Sequence, residues 1–310
     1  MSASFFVGVI CPIVLANVLL VGVPGSGKST AASMMILDAL ASGKWVLLCD
    51  GHGDLARSVV VALDMINFNR HTIYDKLSIV SRVVGWNPLV FSTHENKLER
   101  RKEDDTAIRG FLDIIARTRG IRGLLGNPLI AEFSVGALRL VARQIDTVHK
   151  RLKLAMFALL PGTLGHKILC DGCDDPLLAE KFRRLPKLHS PTYRREVSPA
   201  ERFLATIFED PVFAPRMEGA FQPEALFDTG GFWAIDASEI AKDSATLYQG
   251  AAIQRAIAYA KRTRKPGVIV IDEAVNFNLL GDYELEALNE ARKFNLVFVI
   301  GIQWLPRDEK

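Results

Sequence analysis

The residues with the clearest chemical purpose are Gly22-Val23-Pro24-Gly25-Ser26-Gly27-Lys28-Ser29, which fit G-x-x-x-x-G-K-[ST] between an apolar run and an amphipathic helical stretch. Glycines let backbone N–H groups curl around a phosphate, and the N-terminus of the following helix adds partial positive charge. Lys28 is placed to reach the β- and γ-phosphates, and Ser29 to offer a hydroxyl to Mg²⁺. Pro24, Gly25, Ser26, Gly27, Lys28, Ser29 and Thr30 are accordingly the expected nucleotide-binding residues. ATP and Mg²⁺ are the expected cofactors.

Far along the chain, Val268-Ile269-Val270-Ile271-Asp272-Glu273 is an apolar run ending in two carboxylates. A buried strand of this kind delivers acids to the carboxyl edge of a sheet. Asp272, with Ser29, is expected to hold Mg²⁺, and Glu273 to orient or deprotonate the attacking water. A surface acid pair capping a strand is the bland alternative, weakened by the phosphate loop. Gln303 follows the next predicted strand, where an amide can sense a γ-phosphate, so Lys28, Glu273 and Gln303 form the expected catalytic set. The stretch Asp50-Gly51-His52-Gly53-Asp54-Leu55 ends another strand. It reads either as a contributor to the same site or as a tight turn in which Asp54 caps a helix.

These motifs need an α/β scaffold. The pattern predicts a strand at Val18 to Val23, a helix at Ser29 to Ser42, and strands at Trp45 to Cys49 and Leu77 to Val84. From about Thr93 to Phe227 the periodicity is helical and broken by Pro and Gly. The rhythm resumes with a strand at Phe232 to Asp236, a helix at Leu247 to Arg262, a strand at Val268 to Ile271, a helix at Glu284 to Phe294 and a strand at Leu296 to Ile302. The expected architecture is a mainly parallel sheet covered by helices, with an inserted helical domain. Residues 1–92 and 229–310 are expected to form the two parts of the core, and 93–228 the insertion.

With 310 residues, about half of them apolar, the chain can bury a sizeable core. Its net charge of +3 and pI near 8.6 are only mildly basic, so attraction to nucleic acid must come from local patches. The run Lys181, Arg183, Arg184, Lys187, Arg194 and Arg195, with His189 and Tyr193 between, is either such a patch or a solvated face. Four cysteines make no disulfide framework and favour a reducing, cytoplasmic setting. Cys170 and Cys173 have metal-knuckle spacing, with His166 and His189 as further ligands, but a second Cys pair is missing and no metal is expected there. The first 27 residues carry no charge, yet Val18 to Val23 is needed for the sheet. Only Phe5 to Ala16 then remains, too short to span a bilayer, and no stable membrane span is expected.

Taken together, the phosphate loop, the Asp50 to Leu55 turn, the Val268 to Ala274 strand end and Ala291-Arg292-Lys293-Phe294-Asn295-Leu296 running into Gln303 resemble the HerA/FtsK superfamily of DNA-pumping ATPases. Within it the type IV coupling proteins of conjugation, TraD-like, are the most similar. The resemblance covers roughly Asn17 to Trp86 and Gly231 to Trp304. It implies a RecA-like P-loop core and ATP sites between the subunits of a homo-hexamer. It also implies translocation on DNA, relaxosome or secretion-channel partners, and a place at the inner face of the membrane. Arg292 matches the family segment without identifying the arginine that completes a neighbour's site. The chain starts at the first core strand and stops seven residues after Gln303, where family members continue, so a partial protein is expected.

Three functions compete. The first is a DNA-translocating ATPase of conjugative transfer. The second is a HerA-like helicase, or a secretion or viral genome-packaging ATPase of the same superfamily. The third is an ATP-binding interaction module without turnover. The long gap between the two motifs disfavours a small-molecule kinase, and the lack of an S-G-G-Q-like signature ahead of Asp272 disfavours an ABC-type ATPase.

Overall fold

The computed structural model describes residues 17–68, 70–78, 96–118, 128–141, 155, 157–173, 175–188, 190–208, 221–276 and 279–302. Six strands, β1 (Val18–Val21), β2 (Trp45–Asp50), β3 (Thr72–Lys76), β4 (Phe232–Asp236), β5 (Gly267–Ile271) and β6 (Leu296–Ile302), form one sheet in the order β1-β6-β5-β2-β4-β3. Every pairing is parallel. Parallel neighbours need crossovers, which α1 (Lys28–Ala41), α2 (Asp54–Met65), α10 (Lys242–Thr263) and α11 (Asp282–Glu290) supply. In the second half, α9 (Pro223–Asp228) leads into β4.

Alternation along each strand sorts the core into two layers. Val46 and Leu48 of β2, with Val268 and Val270 of β5, meet Ile36 and Leu40 of α1 and Val59 and Leu63 of α2. Trp45, Leu47 and Cys49 face the other way, onto a larger cluster containing Ile253, Ile257 and Tyr259 of α10. The Trp45 ring lies 4.5 Å from that of Phe227 and 5.8 Å from that of Tyr259, centroid to centroid. It fits because position 267 is glycine: a Cβ there would come within 2.0 Å of the indole. Full burial of such a side chain contributes on the order of 2–3 kcal/mol.

Most of the strand expected at Leu77 to Val84, residues 79–84, lies outside the described residues. The strand found in this part of the chain is β3, Thr72–Lys76, and Leu77 and Ser78 lie beyond its end. Its sequence, TIYDK, hides the signal because it is an edge strand whose fully buried side chain is a carboxylate. Asp75 is tolerated in the interior because Tyr248 of α10 donates a 2.6 Å hydrogen bond to it.

Between residues 97 and 208 every described element is helical: α3 (Lys97–Thr118), α4 (Pro128–Val141), α5 (Leu164–Asp171), α6 (Pro176–Arg183), α7 (Ser190–Glu196), α8 (Ser198–Phe208) and a 3₁₀ turn at Leu185–Lys187. Helix α3 packs along α10, where Gly250 admits Ile114: a Cβ at 250 would meet Ile114 Cγ2 at 3.0 Å. Among the described residues, no helix is long and apolar enough to cross a membrane.

A buried charged network ties α3 to the region after β5. The fully buried Glu284 of α11 accepts from Arg117 Nη2 of α3 at 3.0 Å, from Gln254 Nε2 of α10 at 3.0 Å and from the Gly281 backbone N–H at 2.8 Å. The last contact is half of a capping box, since Gly281 has no side chain to return the bond. Arg117 also pairs with Asp113 one turn back, at 2.9 Å. Removing one partner of a buried pair strands the other charge. Glu284→Ala is therefore expected to cost about 3–5 kcal/mol in urea unfolding, while Asp113→Ala, which removes a half-exposed partner, should cost well under half as much.

Candidate nucleotide-hydrolysis site

The phosphate loop leaves β1 at Gly22 and enters α1 at Lys28. Gly25 and Gly27 take left-handed φ values of 78° and 86°, with no atom within 4 Å of where a Cβ would stand, so the loop there presents backbone to open space. Gly22 is needed for a different reason, as a Cβ would meet Ser26 Oγ at 2.3 Å. Gly27 holds the N-cap position without a side-chain cap, which leaves the first N–H groups of α1 available to an anion. Pro24, Ser26, Ser29 and Thr30 are exposed along this rim. Lys28 folds back, its ammonium donating to the carbonyls of Gly22 at 2.7 Å and Val23 at 3.0 Å.

Sheet order brings the second motif alongside. Beyond Ile271, the Asp272 N–H donates to Cys49 O of β2 at 2.9 Å, and the Ala274 N–H donates to Gly301 O of β6 at 3.1 Å. Between these two anchors Glu273 adopts a left-handed φ of 57°, an uncommon conformation for a residue with a side chain and one that clusters at functional sites. One cleft is lined by Leu20, Lys28, Ala32, Leu55, Asp272 and Gly301 among others, so phosphate loop and acid share a wall. A Cβ at Gly301 would lie 2.7 Å from Asp272 Oδ1, and glycine leaves room for that carboxylate.

Burial, then the nearby Asp50 and Glu273 charges, push the Asp272 carboxyl up to about 6. A carboxylate in that setting gains from a cation, and a carboxylate with a serine hydroxyl is a hard oxygen donor set of the kind Mg²⁺ takes. Ser29 and Asp272 therefore fit the ion in chemistry.

The Asp50 to Leu55 turn joins the site. Buried Asp50 accepts the His52 N–H through Oδ1 and the Ala56 N–H through Oδ2, both at 2.9 Å, which ties the turn to the start of α2. Gly53, with φ 80°, abuts Asp236 at the end of β4, where a Cβ would stand 2.2 Å from Oδ1. Asp54 is the first residue of α2, with Gly53 rather than Asp54 as its N-cap. From this turn His52 Nε2 reaches Glu273 Oε2 at 2.6 Å, and Asn276 Nδ2 donates to the same oxygen at 3.1 Å. Neither contact is readable from the sequence: that of His52 depends on β2 and β5 being neighbours, and Asn276 belongs to no motif.

Other expected residues lie elsewhere. Arg292 is exposed on the 3₁₀ turn Ala291–Phe294 that precedes β6, at the opposite edge of the sheet from the phosphate loop of its own chain. Gln303 and His189 fall outside the described residues. Cys170 is buried, with His166 Nε2 3.8 Å from its sulfur, and burial pushes its thiol up to about 11. Among the described residues, no cluster of His, Cys, Asp or Glu could hold a metal ion. Much of the basic run is engaged internally: Lys181 pairs with Glu132, Arg183 with Asp171, Arg184 with Glu180 and Arg195 with Glu196.

The raised Asp272 carboxyl has a consequence for stability. Between pH ~4 and ~6 the folded chain holds a proton there that the unfolded chain has released, so stability falls as pH rises through that window. In magnesium-free buffer, Asp272→Asn should raise the melting temperature above pH ~6, and the gain should vanish below pH ~4. Thermal melts across that range check the sign.

No protein-family model and no curated protein sequence matches the chain. Solved structures do. The bacterial conjugative coupling protein TrwB, in a trigonal form with sulphate, superposes with a TM-score of 0.61 at 16% identity over 93% of this chain and 63% of that one. TrwB in complex with ADP and Mg²⁺ gives 0.61 at 16% identity, covering 92% and 63%. VirB4 of Thermoanaerobacter pseudethanolicus gives 0.54 at 15% identity, covering 92% and 69%. The chain spans about three fifths of the length of the TrwB chains it matches. The comparison establishes an α/β, RecA-like P-loop fold shared with TrwB and VirB4, the fold that the resemblance to the HerA/FtsK superfamily implies.

Proposed function

We propose that this chain is the ATP-hydrolysing part of a motor that translocates DNA in a type IV secretion or conjugation system. The observation that carries the proposal is the meeting of Lys28 and Asp272 in the lining of one cleft, with Glu273 the residue that follows Asp272. Pro24 to Thr30 would bind the phosphates, largely through backbone N–H groups, and Lys28 would turn its ammonium from the loop carbonyls to the β- and γ-phosphates. Ser29 and Asp272 would hold Mg²⁺, which when bound offsets phosphate charge. Glu273 would take a proton from water as its oxygen bonds to the γ-phosphorus and the bond to the β-phosphate oxygen breaks, with ADP leaving. Gln303 would sense the γ-phosphate.

The assembly belongs to the same proposal. The chain would act as a homo-hexamer with ATP between neighbours, on the cytoplasmic side of the membrane, with relaxosome or secretion-channel partners. Residues 93–228 would form the inserted domain, flanked by the two parts of the core.

The test is ATP hydrolysis by the purified full chain with and without DNA. Turnover should rise with DNA, and turnover indifferent to DNA would remove the translocase reading in favour of a protein-secretion ATPase. Glu273→Gln should lower kcat by roughly 10²- to 10⁴-fold while nucleotide still binds. Lys28→Ala should weaken nucleotide binding itself. A chain that binds ATP without any turnover would be an interaction module.

A further inference from the structure

The turn after β2 is held more tightly than an exposed turn needs to be. Asp50 accepts the His52 N–H of the turn and the Ala56 N–H at the start of α2, Arg57 Nε donates to Gly53 O at 3.1 Å, and Asp236 closes the space beside Gly53. Asp50 is itself fixed, because its carbonyl accepts from the Ala237 N–H at 2.9 Å and from Gln249 Nε2 of α10 at 3.1 Å. What this rigid frame presents outward is the His52 ring, 62% exposed, against a Glu273 side chain that is only 5% exposed. A contact with so exposed a partner adds little to folding. Its geometry does more: His52 and Asn276 both converge on Oε2, which fixes the rotation of the carboxylate and the direction of its second oxygen.

Resting on the hydrolytic reading above, we propose that His52 is a positioning residue for Glu273. The pair has the logic of a catalytic base oriented by a third group. The base leaves β5 in a left-handed conformation, anchored on both sides by β2 and β6, and the orienting donor comes from the turn that ends β2. Since Cys49 and Ile271 are register partners, the two strand ends are adjacent and a histidine two residues past Asp50 spans the distance. A misplaced base loses rate without losing substrate, because positioning acts on the reacting geometry rather than on phosphate binding.

Steady-state hydrolysis and fluorescent-ADP binding by the full chain test the inference. His52→Ala should lower kcat about ten- to a hundredfold, with KM for ATP and ADP affinity within about twofold of the unmodified chain. His52→Gln, whose amide can donate to Glu273, should recover part of the loss. In a Glu273→Gln background, His52→Ala should cost nothing further. An unchanged kcat in His52→Ala, a loss of ADP affinity that matches the loss of rate, or an additive loss on top of Glu273→Gln would each overturn the proposal. Absence of turnover in the unmodified chain would instead overturn the hydrolytic reading, and this inference with it.

Discussion

Parallel hydrogen bonding among β1, β6, β5 and β2 is the constraint from which the rest of the site follows. Strands that run the same way end on the same edge, and this order sets four strand ends side by side. The bonding extends past the strands: the Asp272 N–H reaches Cys49 O, and the Ala274 N–H reaches Gly301 O. The acid pair is therefore part of the sheet's own ladder. An insertion of one residue in β5 would exchange its two faces and carry Asp272 and Glu273 out of reach of the phosphate loop.

The layers above and below serve that edge differently. Helices α1 and α2 begin at the edge itself and bring backbone N–H groups to it: Ser29, Thr30 and Asp54 stay exposed there, while Ile36 and Leu40 of α1 and Leu55, Val59 and Leu63 of α2 are buried against the sheet. Helix α10 is buried almost throughout and works as a spine, giving Gln249 to the carbonyl of Asp50, Tyr248 to Asp75 and Gln254 to Glu284. Its polar side chains brace the strand ends and the elements that follow them, at the cost of desolvating groups that must each find a partner.

Legibility in the sequence follows the range of the interactions. The phosphate loop, β2, β4, β5 and β6 can be read because each is a local pattern: an uninterrupted apolar run, or glycines at fixed spacing beside a lysine. Strand β3 escapes because a buried Asp75 replaces the expected apolar residue, and the Tyr248 that makes this tolerable lies 173 positions away. The Asp50 to Leu55 turn can be placed at the carboxyl edge from its sequence. Its contact with Glu273 cannot, since β2 and β5 are neighbours only through the non-sequential strand order. The Arg117–Glu284 pair, 167 positions apart, leaves no local signature at all.

That pair also bears on how force could pass through the molecule. Glu284 is pinned to α3 and α10 while Ile271 is pinned in the sheet, so the span carrying Asp272, Glu273 and Asn276 is held at both ends. A chain fixed at two posts cannot swing as a lever. It can only reshape between them, and because the Ala274 N–H is itself bonded to Gly301 O, a displacement of α3 would meet that anchor before it met the acid pair.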